Sequence, residues 1–198
     1  MKFLFDLDGT VTAEETLPII AQIGGVESSI NELTKRTIEG DVPFIESFVQ
    51  RVNILKDIPV SLISNRLAMV RLYDSIFDFI QSHQDQCAIV TGNLSCWCDA
   101  LNKRIGCTAF SSEAEVKDDH VVKIKSILLK ERVVDNFKNN GETVCFIGDG
   151  NNDLEAMRHA DISIAAGMSH APARSLYSIC DYVVFNEKAL CRQLNQLL

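Results

Sequence analysis

The chain has 198 residues, of which 46% are hydrophobic and 23% charged, so its length fits one globular domain with a small insertion. Its 19 basic and 27 acidic residues give a formal net charge of −8, which argues against a nucleic-acid partner. The Met-Lys start runs directly into Phe-Leu-Phe-Asp, so no signal peptide is expected, and no apolar run approaches the roughly 20 residues of a membrane helix. We therefore expect a cytoplasmic protein without a membrane partner, whose seven cysteines are reduced.

Short apolar runs alternate with helical segments along most of the chain. Runs that fit strands buried on both faces lie at residues 2–7, 87–90, 143–148, 162–165 and 182–185. The spacing of apolar residues predicts helices over residues 95–104, 130–139, 154–159 and 187–197. This alternation predicts an α/β protein with a doubly wound parallel sheet and helices on both of its faces. Residues 110–129 fit either an antiparallel hairpin or a strand that leads into the next helix.

Residues 13–74 interrupt the alternation, because they contain no convincing strand. Apolar residues such as Leu17 and Ile20 recur there at helical spacing. A segment of about 60 residues is too long for one crossover between neighbouring strands. We predict a small helical cap at residues 13–74, inserted after the first strand, and a core formed by residues 1–12 and 75–198.

Two of the predicted strands end in acid-rich loops. Asp6 and Asp8 follow the first strand in the run Asp-Leu-Asp-Gly-Thr, and Asp149 and Asp153 follow a later strand in Gly-Asp-Gly-Asn-Asn-Asp. Ligands of such sheets bind beyond the carboxyl ends of the strands, where the strand order reverses. Either loop alone fits a simple turn, but together they predict oxygen ligands around one hard cation, and Mg²⁺ is the natural occupant. Asp153, early in the next helix, is placed to orient those ligands.

Two further features indicate an anion beside these acids. Thr91 ends a predicted strand, and Gly92 and Asn93 follow it just before a helix, whose N-terminus is a ready anion site. Lys130 opens another helix, where a cation is unfavourable with the helix dipole. We therefore expect a compensating anionic partner for Lys130.

In order and spacing, these motifs resemble the haloacid dehalogenase superfamily. The resemblance is carried by Asp-Leu-Asp-Gly-Thr-Val-Thr at 6–12, Thr-Gly-Asn at 91–93, a lysine, and Gly-Asp-Gly-Asn-Asn-Asp at 148–153. It implies a Rossmann-like core and phosphoryl chemistry that depends on Mg²⁺.

The resemblance also implies a role for each residue. Asp6 is the nucleophile that takes the phosphoryl group, and Asp8 is the general acid and base. Mg²⁺ is held by Asp6, Asp149 and the backbone carbonyl of Asp8, with support from Asp153, and the phosphoryl oxygens by Thr91 and the motif lysine. These roles fit the chemistry, because a cation and a hydroxyl neutralise the charge of the transferring group.

Two lysines compete for the motif position. In the family the lysine begins a helix with apolar residues at about +3, +4 and +7. Lys130 is followed at those offsets by Val, Val and Phe, whereas Lys125 is followed by Leu, Leu and Arg. We predict Lys130, with Lys125 as the alternative.

The helical insertion narrows the resemblance to the phosphoserine phosphatase-like group, whose cap is similar to residues 14–16, 39–47 and 50–57. By this resemblance Glu15 pairs with the ammonium of the substrate and Arg51 clamps its carboxylate, roles that suit the two side chains. The predicted substrate-binding residues are Glu15, Arg51, Thr91, Gly92, Asn93 and Asn152. Asn93 departs from the group, which generally carries glycine there, so an amide side chain is expected beside the substrate.

The predicted function is Mg²⁺-dependent hydrolysis of a small phosphomonoester, with O-phosphoserine as the first candidate, by a monomer or homodimer. A carboxylate nucleophile splits a very slow reaction into two steps through an aspartyl-phosphate. Two alternatives stay open. One is a phosphatase or phosphotransferase for another small phosphometabolite such as phosphohomoserine, with homoserine as a candidate acceptor, and the other is binding of a phosphorylated metabolite without turnover.

Overall fold

The computed structural model describes residues 1–39 and 41–198, without the side chains at positions 35, 37–39 and 44. Gly40, part of the cap-like segment 39–47, lies outside the described residues. The strands are β1 (Lys2–Phe5), β2 (Cys87–Leu94), β3 (Thr108–Lys117), β4 (His120–Ser126), β5 (Val144–Gly148), β6 (Ile162–Ala166) and β7 (Tyr182–Val184). The helices are α1 (Thr16–Gly24), α2 (Glu27–Glu39), α3 (Phe44–Leu55), α4 (Val60–Leu67), α5 (Asp74–Ser82), α6 (Ser95–Ile105), α7 (Lys130–Asn139), α8 (Leu154–His159) and α9 (Glu187–Leu197).

The described strands form one sheet in the order β4-β3-β2-β1-β5-β6-β7. β1 is central and pairs in parallel with β2 on one side and β5 on the other. From β1 the chain builds one half of the sheet and then returns to build the other half. The strand order therefore reverses between β1 and β5, which is the point where such sheets bind ligands. The predicted doubly wound sheet is confirmed.

Both faces of the sheet are covered, as the uninterrupted apolar strands predict. Because successive side chains of a strand point to opposite faces, Phe3 and Phe5 join one hydrophobic cluster and Leu4 joins the other. The first cluster includes side chains from α5, α6 and α9, and the second includes side chains from α7 and α8. The side chains of Phe3, Leu4 and Phe5 are fully buried.

Among residues 1–39 and 41–198, no helix combines the length and apolar composition of a membrane span.

The structure of β3 and β4 decides between the two alternatives for residues 110–129. They pair antiparallel, which confirms the hairpin, and β3 also pairs in parallel with β2. The turn between them contains Asp118 and Asp119, both with positive φ, a conformation that aspartate tolerates better than most residues.

Two short segments connect the insertion to the sheet. Thr12 and Leu72 form an antiparallel bridge, flanked by hydrogen bonds from Ala13 N to Arg71 O (2.9 Å) and from Tyr73 N to Val11 O (3.1 Å). The chain thus leaves and re-enters the core at one place. On this ground we propose residues 13–74 as the cap and the remainder as the core.

The last helix of the insertion is held to the core at both ends. At its N-terminus, Asp119 accepts hydrogen bonds from Ser61 N (2.9 Å) and Ser61 Oγ (2.5 Å), while the Asp119 carbonyl accepts from Val60 N (2.7 Å). At its C-terminus, Arg104 of α6 donates to the carbonyls of Ala68 (2.7 Å) and Val70 (2.8 Å). α4 is therefore fastened to the core, although it belongs to the insertion by sequence.

Asp161 gives a prediction about acid stability. Its Oδ2 accepts from Val144 N at 2.9 Å and its Oδ1 lies 2.9 Å from Lys138 Nζ. The hydrogen bond from Lys138 lowers the pKa of Asp161. A lowered folded-state pKa gives stability that is present above the unfolded pKa, near 4, and is lost as pH falls through the folded value.

We expect Asp161→Asn to lower Tm at about pH 7 and to lower it less at about pH 3, because acid removes the same contribution from the wild type. Thermal unfolding at the two pH values measures the difference. Asp57→Asn, at an exposed position, is the control. An equal loss of Tm at both pH values would contradict the assigned role of the carboxylate charge.

Candidate active site

Lys130 joins two buried carboxylates at the carboxyl edge of the sheet. Its Nζ lies 2.5 Å from Asp6 Oδ1 and 2.6 Å from Asp153 Oδ1. These carboxylates are the anionic partners expected for a cation at a helix N-terminus. Burial lowers the pKa of Lys130, but the charges of Asp153 and Asp6 more than offset it and hold the pKa above its ordinary value. Lys125, the alternative, is exposed on β4.

The loop after β5 is organised around Asp153. Its Oδ2 accepts hydrogen bonds from the backbone N–H groups of Asp149 (3.0 Å) and Gly150 (2.9 Å), while its Oδ1 contacts Lys130. A Cβ at Gly148 would lie 2.5 Å from the Asp153 carboxyl group, so only glycine fits there. Asp153 therefore positions the loop that carries Asp149, and its side chain is fully buried.

The carboxylates of Asp6, Asp149 and Asp153 come together in space, with oxygens within 4.8 Å of one another. Burial and the charge of Asp153 raise the pKa of Asp6, an effect that Lys130 offsets only in part. Burial also raises the pKa of Asp149. Three carboxylates crowd one buried space, and Lys130 pairs with two of them, Asp6 and Asp153, so a divalent cation with oxygen ligands would neutralise the remaining negative charge. The residues present thus fit Mg²⁺.

Asp8 is fixed by the start of the insertion. Its Oδ1 accepts a hydrogen bond from Thr16 N at 2.8 Å. Burial, followed by the charge of Glu15, raises the pKa of Asp8 to about 6. A carboxyl group with that pKa can both donate and accept a proton near neutral pH. Gly9 beside it has φ of +68°, and a Cβ there would lie 2.6 Å from Asp149 Oδ2.

The end of β2 supplies Thr91, Gly92 and Asn93 to the same cleft. Thr91 Oγ1 accepts a hydrogen bond from Asn93 N at 3.1 Å. The Asn93 side chain, expected to intrude on the substrate, bonds to protein at both of its ends. Its Nδ2 donates to Thr16 Oγ1 at 2.8 Å, and its Oδ1 accepts from Leu94 N at 2.9 Å. Asn93 therefore links β2 to the first helix of the insertion.

A cavity of about 640 Å³ lies between the core and the insertion. Glu15 precedes α1, and Arg51 lies in α3 with its side chain buried. The Nη2 of Arg51 donates to Thr34 Oγ1 at 3.4 Å. The predicted site residues that line the cavity are Asp6, Asp8, Glu15, Arg51, Thr91, Gly92, Asn93, Asp149 and Asn152. The structure thus brings the predicted nucleophile and the predicted substrate-binding residues to one cavity.

His170 also lines this cavity, and the sequence analysis did not include it. It lies in the loop after β6, and its Nε2 is 2.9 Å from Asp149 Oδ2 and 3.3 Å from Glu15 Oε1. Hydrogen bonds to Asp149 and then to Glu15 raise the pKa of His170 to about 11. The sequence offers little indication of a role for His170, because it follows β6 by several residues and no acidic motif surrounds it. Its position after the carboxyl end of a parallel strand was the one feature that could have pointed to it.

A model of the haloacid dehalogenase-like hydrolases matches residues 3–161 of the chain, a range that contains both acid-rich loops. The phosphoserine phosphatase of Archaeoglobus fulgidus is 27% identical over 175 residues, covering 82% of this chain and 51% of that protein. The phosphoserine phosphatase of Methanocaldococcus jannaschii is also 27% identical over 175 residues, covering 82% of this chain and 83% of that protein. This chain therefore spans about half the length of the first relative and most of the second.

Solved structures share the fold. A substrate-bound phosphoserine phosphatase complex has a TM-score of 0.83 at 23% identity, and the match covers 100% of this chain and 99% of that chain. A haloacid dehalogenase family hydrolase from Salmonella enterica has a TM-score of 0.82 at 25% identity, covering 96% of this chain and 69% of that chain. The predicted Rossmann-like architecture is confirmed by these matches.

Proposed function

This chain belongs to the haloacid dehalogenase-like hydrolase family, and from that membership we propose that it is a phosphatase of small phosphomonoesters with Asp6 as its nucleophile. The observation that carries the proposal is the placement of Asp6. Its carboxylate lies at the end of the central strand, contacts Lys130 at 2.5 Å, and faces a cavity shared with Asp8 and Asp149. An exposed turn aspartate has no such partners.

The two steps of the reaction follow from the neighbouring side chains. An Asp6 oxygen attacks phosphorus, the bond from phosphorus to the leaving oxygen breaks, and Asp8 gives its proton to that oxygen. Asp8, now a carboxylate, takes a proton from water, whose oxygen attacks the aspartyl-phosphate and releases phosphate and Asp6. The pKa of Asp8, about 6, suits a group that must exchange a proton in both directions. Lys130 and Thr91 stabilise the negative charge of the phosphoryl oxygens.

We assign Mg²⁺ to the carboxylates of Asp6 and Asp149, with the backbone carbonyl of Asp8 as a further ligand. When bound, the ion supplies positive charge that neutralises the phosphoryl oxygens during transfer. The buried carboxylates of Asp6, Asp149 and Asp153 support this assignment, because Lys130 contacts two of them, Asp6 and Asp153, and Asp149 faces the half-exposed His170. Asp153 keeps the loop of Asp149 in place through two backbone N–H groups.

O-phosphoserine is the substrate we propose to test first. Glu15 offers a carboxylate for an ammonium group, and Arg51 offers a buried guanidinium for a carboxylate. Both line the cavity that Asp6 faces, so a molecule with a phosphate, an ammonium and a carboxylate has a partner for each charge. The identity with two phosphoserine phosphatases supports the same substrate. The cap thereby sets specificity, and the core carries the chemistry.

Phosphate release from O-phospho-L-serine, O-phospho-L-threonine, phosphohomoserine and p-nitrophenyl phosphate tests the proposal. With Mg²⁺ present, we expect the highest kcat/KM for O-phospho-L-serine. A chelator should abolish turnover, and added Mg²⁺ should restore it. If p-nitrophenyl phosphate were the one ester hydrolysed, the proposed phosphatase activity would stand and the proposed amino-acid substrate would be rejected. Absence of release from every ester would reject the phosphatase itself.

A further inference from the structure

His170 connects the core and the insertion across the mouth of the cavity. Its Nε2 contacts one oxygen of Asp149, on the core, and one oxygen of Glu15, on the insertion. The Asp149 side chain is buried, whereas the side chains of His170 and Glu15 are about half exposed. The imidazole thus lies between a proposed metal ligand and a proposed substrate ligand.

The hydrogen-bond partners of the ring define how it acts. His170 Nδ1 lies 2.9 Å from the carbonyl oxygen of Ala171, on the opposite edge of the ring. Ionised Asp149 and Glu15 only accept hydrogen bonds, so the ring donates to them through Nε2. One N–H group is therefore shared by two carboxylates that would otherwise repel each other.

Contacts on both sides of His170 hold its loop. Ser169 Oγ donates to the carbonyl of Gly9 at 2.9 Å and lies 3.2 Å from the hydroxyl of Tyr73. Ala173 N donates to the carbonyl of Asp149 at 2.8 Å. The backbone beside His170 is thus anchored to the loops of both Asp6 and Asp149. This anchoring makes the ring a fixed point from which the Glu15 side chain can be positioned.

We propose that His170 is a positioning residue that ties Glu15 to Asp149 and so holds the Glu15 carboxylate where the ammonium of an amino-acid phosphate ester binds. This inference rests on the proposed function, because it concerns the substrate side of the same site. His170 acts through the Glu15 carboxylate that takes the ammonium. Its loss should therefore lower turnover of an ester that carries an ammonium more than turnover of an ester that does not.

The ratio of kcat/KM for O-phospho-L-serine to kcat/KM for p-nitrophenyl phosphate measures this dependence. We expect His170→Ala to lower the ratio about tenfold, the size of one charge-assisted hydrogen bond, and His170→Gln to recover part of it through its amide N–H. In a Glu15→Gln background, His170→Gln should change the ratio no further, because the group it positions is gone. His159→Gln is the control, since His159 pairs with Asp135 on the outer surface.

A merely structural role would lower both kcat/KM values alike and leave the ratio unchanged, which would overturn the proposal. So would an equal loss of the ratio in the wild-type and Glu15→Gln backgrounds. Crystal structures of the wild type and His170→Ala give a second readout that needs no turnover. We expect the Glu15 carboxylate to move away from Asp149 in the variant, and an unmoved carboxylate would reject the proposal. A wild type that does not hydrolyse O-phospho-L-serine would reject the proposed substrate, while the crystal structures still decide the role of His170.

Discussion

Asp6→Asn is expected to abolish phosphate release, with a loss of at least about 10⁴-fold in kcat, because an amide cannot take the phosphoryl group. The fold should survive the change. Asn has the shape of Asp, and Lys130 keeps its contact with Asp153 at 2.6 Å. Burial raises the pKa of Asp6, so replacing its charge by a neutral group relieves part of an unfavourable burial. We therefore expect Tm to stay the same or to rise while activity disappears.

Phosphate release and thermal unfolding, measured on the same preparation, separate these two effects. Asp85→Asn, at an exposed position of the same chain, is the matched control and should retain full activity. Turnover of Asp6→Asn at the wild-type rate would end the assignment of the nucleophile. Loss of activity together with a large fall in Tm would show that Asp6 is needed for folding, and its catalytic role would then lack support.

Lys130→Met is expected to damage both stability and activity. It leaves Asp6 and Asp153 buried without their cation, which typically costs about 3–5 kcal/mol and lowers Tm by roughly 10 °C in a chain of this size. Activity should fall by at least about 10²-fold, because a group that stabilises the phosphoryl oxygens is lost. Thermal unfolding and phosphate release measure the two losses.

A second substitution tests whether the unpaired buried carboxylates cause the loss of stability in Lys130→Met. Lys130→Met combined with Asp153→Asn should be more stable than Lys130→Met alone, because one of the unpaired charges is removed. Activity should stay low in the double variant. Lys125→Met is the control, since Lys125 is exposed on the edge strand and its replacement is expected to change neither stability nor activity. Equal losses in Lys125→Met and Lys130→Met would contradict the choice of Lys130.

The core of the fold could be predicted because its signals are local. Strands buried on both faces leave uninterrupted apolar runs, and the acids that follow β1 and β5 mark the same edge of the sheet. The choice of Lys130 over Lys125 came from the family resemblance, which expects apolar residues at fixed offsets after the lysine, and those residues follow Lys130 in α7. Each of these features can be read within about ten residues of the chain.

Other features depend on contacts between distant parts of the chain. Asn93 lines the cavity, but the bond of its amide to Thr16, 77 residues away, could not be predicted from the motif around it. His170 meets Glu15 across 155 residues, and no spacing within one segment records that contact. The hairpin of β3 and β4 stayed ambiguous because its apolar alternation is partial on an exposed edge. Tertiary contacts decide such cases, and one sequence does not contain them as a pattern.

The attachment of α4 has a consequence for how specificity can change in evolution. The hairpin turn and Arg104 fasten this helix to the core, whereas Glu15 and Arg51 lie earlier in the insertion. The proposed substrate contacts and the attachment of α4 therefore lie in different stretches of one insertion. A transplant meant to change the proposed specificity can be limited to residues 14–55 if it keeps Thr16, which bonds to Asp8 and Asn93 of the core. A transplant that also carried α4 would need the hairpin turn and Arg104 to accompany it.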